Sequence, residues 1–177
     1  MDQFLHTLFV FLHILGVVLF VGPQFFLAFA WVPASRGIAD LPTRVKAMRT
    51  ITDRFLFIGG AGLILALLAG TYLVSTWRDY YGMPDSVDFT SVRFGVVFIV
   101  KMILFSAMLV AVGLHTFLVG PKLVNALDKQ GQGGSVSDKS VRRLRLQSMS
   151  LSITGLVLVI AIMVMGVMLN TAQWSLG

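Results

Sequence analysis

A chain of 177 residues that is 56% hydrophobic, only 12% charged and +0.86 in mean hydropathy reads as an integral membrane protein, since soluble domains carry about 25% charged residues. It has no cysteine, which excludes disulfides, thiolate metal sites and cysteine nucleophiles. Its net charge of +6 lies in segments flanking apolar runs and not on a basic face interleaved with aromatics, so nucleic acid is excluded as a partner.

Four apolar runs approach or exceed the roughly 20 residues that cross a bilayer: residues 4–32, 55–76, 94–119 and 150–169. They predict an all-α integral membrane protein, a single domain built as a four-transmembrane-helix bundle. The first run is too long for a signal peptide and lacks a basic start. Gly22-Pro23 inside it predicts a bend or tilt, because proline removes a backbone hydrogen bond, and Pro33 is expected to end it. The connector 36–54 carries Arg36, Arg44, Lys46, Arg49 and Arg54 against Asp40 and Asp53. Within it, Leu41 to Thr52 reads as a short amphipathic helix at the interface. In the second run Gly62, Ala66 and Gly70 stand four apart and make one face smooth enough for close helix approach. Trp77, Tyr80 and Tyr81 follow as an aromatic belt.

The loop 78–93 is slightly acidic. The third run is expected to stop at Gly120-Pro121. Segment 122–147 is strongly basic, with the flexible linker GQGGSVS at its centre. Trp174 reads as an interfacial anchor after the fourth run, and Gln24 and Asn170 as interhelical hydrogen-bonding groups. Because the first and third connecting segments hold most of the basic residues, the positive-inside rule puts them in the cytoplasm and both termini on the non-cytoplasmic side. The expected location is the cell inner (plasma) membrane.

The third run contains a lysine near its middle, and a charge there costs about 2.5–3.5 kcal/mol on insertion scales. Lys101, Met108 and His115 recur at seven-residue spacing, so one stripe of this helix carries an amine, a thioether and an imidazole. The rest of the bundle is expected to pack against that stripe. Runs one and three point the same way, and His13 and Lys101 lie at similar depth in them. His6 lies one heptad above His13. An outer cluster (His6, His13, Lys101) and an inner one (His115, Arg54) follow.

Imidazole on a bundle helix suits haem iron, with an arginine or lysine pairing the propionates. Imidazoles with thioethers from Met102, Met108, Met163, Met165 and Met168 suit copper(I). A proton path is disfavoured, since no Asp or Glu lies inside any run and the chain has no glutamate. Each residue also has a structural reading. Lys101 snorkels along apolar surface; His13 bonds a helix carbonyl; His6 is solvated; His115 complements a helix terminus; the methionines are packing.

FLHILGVVLFVGPQFF resembles the first helix of the CopD-type copper-resistance membrane domain and of the HemJ-type protoporphyrinogen oxidase. RTITDRFLFIGGAGLILALLAGTYLV resembles their second helix, and VRFGVVFIVKMILFSAMLVAVGLHTFLVGPKL their third. The resemblance covers most of the four runs, and its sharpest points are His13 and Lys101. It implies a haem-b-binding redox protein, with His13 and Lys101 at the haem-associated positions; the inner cluster of His115 and Arg54 is read from the residues as a further cofactor contact. If the protein is an enzyme, the resemblance implies a protoporphyrinogen-oxidase-like oxidoreductase. A copper-handling protein using His6, His13 and methionines is the alternative. A cofactor-free structural or assembly subunit is a third. The partners expected are the lipid bilayer and a homo-oligomer or larger electron-transfer complex.

Overall fold

A computed structural model describes residues 2–171, with side chains as far as Leu169. The expectations for Trp174 and for the Asn170 side chain lie outside the described residues. Among them the chain forms four helices long and apolar enough to cross a membrane, and the protein is an all-α, multi-pass membrane bundle. We label the helices α1 (Gln3–Ser35), α2 (Leu41–Ser75), α4 (Arg93–Gly131) and α5 (Asp138–Thr171), with the short α3 (Trp77–Tyr81) between α2 and α4.

Asp2 caps α1 by accepting from the Phe4 amide, and Asp40 caps α2 by accepting from the Thr43 amide at 2.9 Å. Gly82, at φ 64°, ends α3 in the left-handed conformation that glycine adopts without penalty.

Three sequence expectations about helix ends are corrected. Leu41–Thr52 is not a separate interfacial helix but the first three turns of α2. The third helix does not stop at Gly120-Pro121 but continues to Gly131. The fourth begins twelve residues before Ser150, at Asp138. The reason is common to all three. Hydropathy marks where the bilayer ends, but these helices run on into water because they pack on one another there. Val45, Leu123, Leu127 and Val141 form a buried cluster outside the apolar spans, flanked by Leu41, Val124, Ala126, Val136 and Leu144. Arg49 Nη2 bridges across it to Asn125 Oδ1 (2.9 Å) and Asp128 Oδ2 (3.1 Å). We call this three-helix extension the cap, and its side of the bundle the basic end.

α1 stays helical past Pro23 and widens to i→i−5 bonding at Leu27–Trp31, directly before the Val32-Pro33 pair. The third helix widens the same way at Leu114–Val119, directly before Pro121. In each case the residue preceding the proline, Val32 or Gly120, donates to the carbonyl five back, Leu27 or His115. A proline ring clashes with the carbonyl four residues earlier and disfavours tight α geometry before it. One wide turn accommodates the clash without breaking the helix.

The bundle is two antiparallel hairpins, α1 with α2 and α4 with α5. In lipid there is no hydrophobic drive between helices, so close packing of small residues does the work. The predicted smooth face of α2 receives α1: a Cβ at Gly16 would fall 2.6 Å from the Gly62 carbonyl oxygen, and one at Gly62 would fall 2.8 Å from that of Gly16. The hairpins meet through Phe20, Val21, Met108 and Val159, joined by Leu63, Phe105 and Ile162. At the terminal end Trp77, Val92 and Phe94 close the bundle, with Tyr81, Phe89 and Leu169 around them. Arg78 ties the 82–92 loop down by donating to the Val87 carbonyl at 2.8 Å.

Candidate functional site

The central apolar cluster and the terminal-end cluster are separated by one layer of different chemistry. Phe20, Leu63, Met108 and Val159 each belong to the central cluster. Seven residues toward the terminal end from each of them stand His13, Gly70, Lys101 and Gly166. Seven residues are nearly two turns, about 10 Å, so the layer lies on the same helix faces one storey up. A further seven residues along the chain from Gly70 and Lys101 reach Trp77 at the start of α3 and Phe94 on α4, which close the end. Where four core side chains are expected, the bundle places an imidazole, an amine and two glycines.

His13 is half-buried, and its Nδ1 lies 2.7 Å from the Ala66 carbonyl oxygen. A carbonyl only accepts, so Nδ1 carries the proton and donates. In the neutral ring the lone pair is then on Nε2, which has no hydrogen-bond partner among the described residues. This is the structural reading of His13, a histidine bonded to a helix carbonyl. Gly70 makes the site possible, because its missing side chain leaves room for the ring.

Lys101 is half-buried and makes no hydrogen bond or ion pair among the described residues. Its Nζ lies 3.8 Å from where a Cβ on Gly166 would stand. No hydrogen bond joins it to the His13 ring. His13 faces α2 and Lys101 faces α5, so each turns first to its own hairpin partner. The stripe read from the sequence is real in packing terms. Met108 is 2% exposed in the central cluster, with Lys101 and His115 on the same side facing α5.

The remaining candidates are spread along the bundle. His6 is half-buried and stacks flat on Tyr80, with ring centroids 3.5 Å apart and planes 5° from parallel. Its Nδ1 is shielded and has no hydrogen-bond partner among the described residues. Phe9 stacks on Tyr72 one step inward, so Phe9, His13, Gly16 and Phe20 form a continuous heptad seam against α2, with His6 beyond its end on Tyr80 of α3. His115 is not joined to Arg54. Its Nε2 lies 3.0 Å from Ser148 Oγ and 3.1 Å from Ser152 Oγ, and so fastens α4 to α5. Arg54 is exposed and makes no hydrogen bond or ion pair among the described residues. No group of three His, Cys, Asp or Glu side chains converges among the described residues.

Sequence reasoning missed Gly166, the Ala66 carbonyl and the Ser148–Ser152 pair. The serines, four apart on one helix face, were a readable signal. The carbonyl was not, because every residue has one. The fold defines a polytopic helical membrane protein with a polar layer inside it. Compared with known proteins, the chain matches no family model, no curated protein and no solved structure.

Proposed function

We propose that this is a haem-b-binding redox membrane protein of the CopD/HemJ-like kind, holding the haem in the layer between His13 and Lys101. The single observation that carries the reading is the His13 geometry. Nδ1 is committed to the Ala66 carbonyl, and the ring is thereby fixed with its free lone pair on Nε2. A histidine that would hold haem iron needs that tautomer and that restraint. Gly70 and Gly166 leave room in the layer for the His13 ring and the Lys101 amine themselves. Lys101 supplies either a second nitrogen donor or a cation for a propionate, with no acidic residue inside the spans to neutralise it first.

When bound, haem b supplies one-electron chemistry at iron. The chain's own part is to hold the imidazole, to surround the site with apolar clusters above and below, and to place a positive charge beside it. Ligand identity, burial and nearby charge are the levers that set such a potential. The basic end is taken as cytoplasmic, because every Lys and Arg except Arg78, Arg93 and Lys101 lies there. Both termini are then outside, and the membrane is the plasma membrane.

The test is a reduced-minus-oxidised absorption spectrum of protein purified after expression with added haem precursor. A b-type band that disappears in His13→Ala is expected. A wild-type protein with no band overturns the reading, and stoichiometric copper dependent on His13 would replace it with the copper-handling one.

A further inference from the structure

We propose that α5 carries an anionic-phospholipid site at the basic end, formed by Arg142, Arg143 and Arg145 above an exposed apolar stripe. The stripe is Leu146, Met149, Ile153, Val157, Ile160 and Val164, between 46% and 58% exposed along its length. At about 100° per residue these positions fall on one face of the helix. The opposite face is the packed one, with Val141, Leu144, Ser148, Gly155 and Val159 turned into the bundle.

Continued past Leu146, the same projection places Arg142 at the centre of the stripe, with Arg143 and Arg145 on either flank. All three arginines are exposed, and none makes a hydrogen bond or ion pair among the described residues. Ser150 marks the start of the apolar run, so at 1.5 Å per residue the three guanidiniums lie roughly 7–12 Å outside it, at the depth of lipid headgroups. The cap holds this stretch rigid: Val141 and Leu144 pack against Val45, Leu123 and Leu127. The only acidic residue on α5, Asp138, is engaged by Gln130 Nε2 at 3.2 Å and lies a full turn further out. Guanidinium groups bind phosphate oxygens in forked geometry, and the stripe below supplies apolar surface for acyl chains. The occupant that matches both is a phospholipid of net negative charge.

The full-length protein is reconstituted in nanodiscs of phosphatidylcholine, with or without phosphatidylglycerol. Thermal unfolding and the lipid retained after detergent extraction, by native mass spectrometry, are then measured. The site predicts retained phosphatidylglycerol and a midpoint raised by several degrees in its presence. Both are lost in Arg142→Gln/Arg143→Gln/Arg145→Gln. They are kept in Lys46→Gln/Lys122→Gln/Lys129→Gln, which removes the same charge from elsewhere at that end. Equal losses in the two triple variants would mean a diffuse charge effect and overturn the site, as would equal behaviour of the wild type in both lipids. If the first triple fails to fold, Arg142→Lys decides: it keeps the charge but loses the fork, and undiminished retention there overturns the proposal.

Discussion

A Cβ at Gly70 would stand 3.0 Å from His13 Cε1 and 3.1 Å from its Nδ1. These contacts are tight for a single carbon, and a longer side chain would claim the space of the ring. Gly70→Leu is therefore expected to push the imidazole off the Ala66 carbonyl and, on the proposed haem reading, to remove the b-type band to the extent expected for His13→Ala. Gly60→Leu, ten residues away on the same helix, is the control, because a Cβ there meets nothing within 4 Å. Spectra of the two variants side by side decide it. The imidazole and the amine were legible in the sequence because charge and ring nitrogen are rare in apolar spans. Gly70 and Gly166 were not legible as site residues, since a glycine in a membrane helix reads equally well as a packing surface. Asp40 makes a different single-residue case. Hydrogen bonds from the Thr43 hydroxyl and then the Thr43 amide hold its carboxylate pKa below the ordinary 3.8. A depressed acid contributes stability above its unfolded value and loses it as pH falls through the folded one. Acid below about pH 4 should therefore begin to fray the first turn of α2. Hydrogen exchange at the Thr43 amide should show protection falling with acid in the wild type and pH-independent in Asp40→Asn, which caps without titrating.

Helix existence was readable from hydropathy, but helix ends were not, and the difference has a physical source. An apolar run reports where lipid begins. It says nothing about whether the backbone stays helical in water, which α2, α4 and α5 do because leucines and valines at helical spacing meet in the cap. The prolines differ in the same way: α1 stays helical past Pro23, whereas Pro33 and Pro121 each follow a widened turn. Gly120 is the hinge of the second of these. A Cβ on it would stand 2.9 Å from the His115 carbonyl oxygen, the acceptor of its own amide. Gly120→Val should therefore break the i→i−5 bond and loosen the His115 contacts with Ser148 and Ser152. We expect a destabilisation of about 1–3 kcal/mol, the usual size for an overpacked position. Gly113→Val, where a Cβ meets nothing within 4 Å, should cost much less in the same detergent unfolding assay.

Taken whole, the molecule has a lipid-spanning part and a water-exposed cap that use different forces, and mutations should separate them. In the cap, Leu127 is 2% exposed, and its burial removes apolar surface from water. Within the spans, water is not the competitor, and fit between small residues decides. Leu127→Ala should therefore cost about 2–5 kcal/mol, the range for a large-to-small change in an aqueous core. The Arg49–Asp128 pair sits in the same cap at 3.1 Å, but its side chains are 49% and 34% exposed. Solvent screens such a pair, so Arg49→Ala should cost only about 0.2–1 kcal/mol. Limited proteolysis at the 132–137 linker, before α5, distinguishes the two. Leu127→Ala should open that site while leaving the α1–α2 hairpin and the His13 layer intact. Arg49→Ala should leave the cleavage rate within a few-fold of wild type. If Leu127→Ala also removed the b-type band, cap and layer would form one cooperative unit, and the heptad storeys joining Met108 to Lys101 would be the route of coupling.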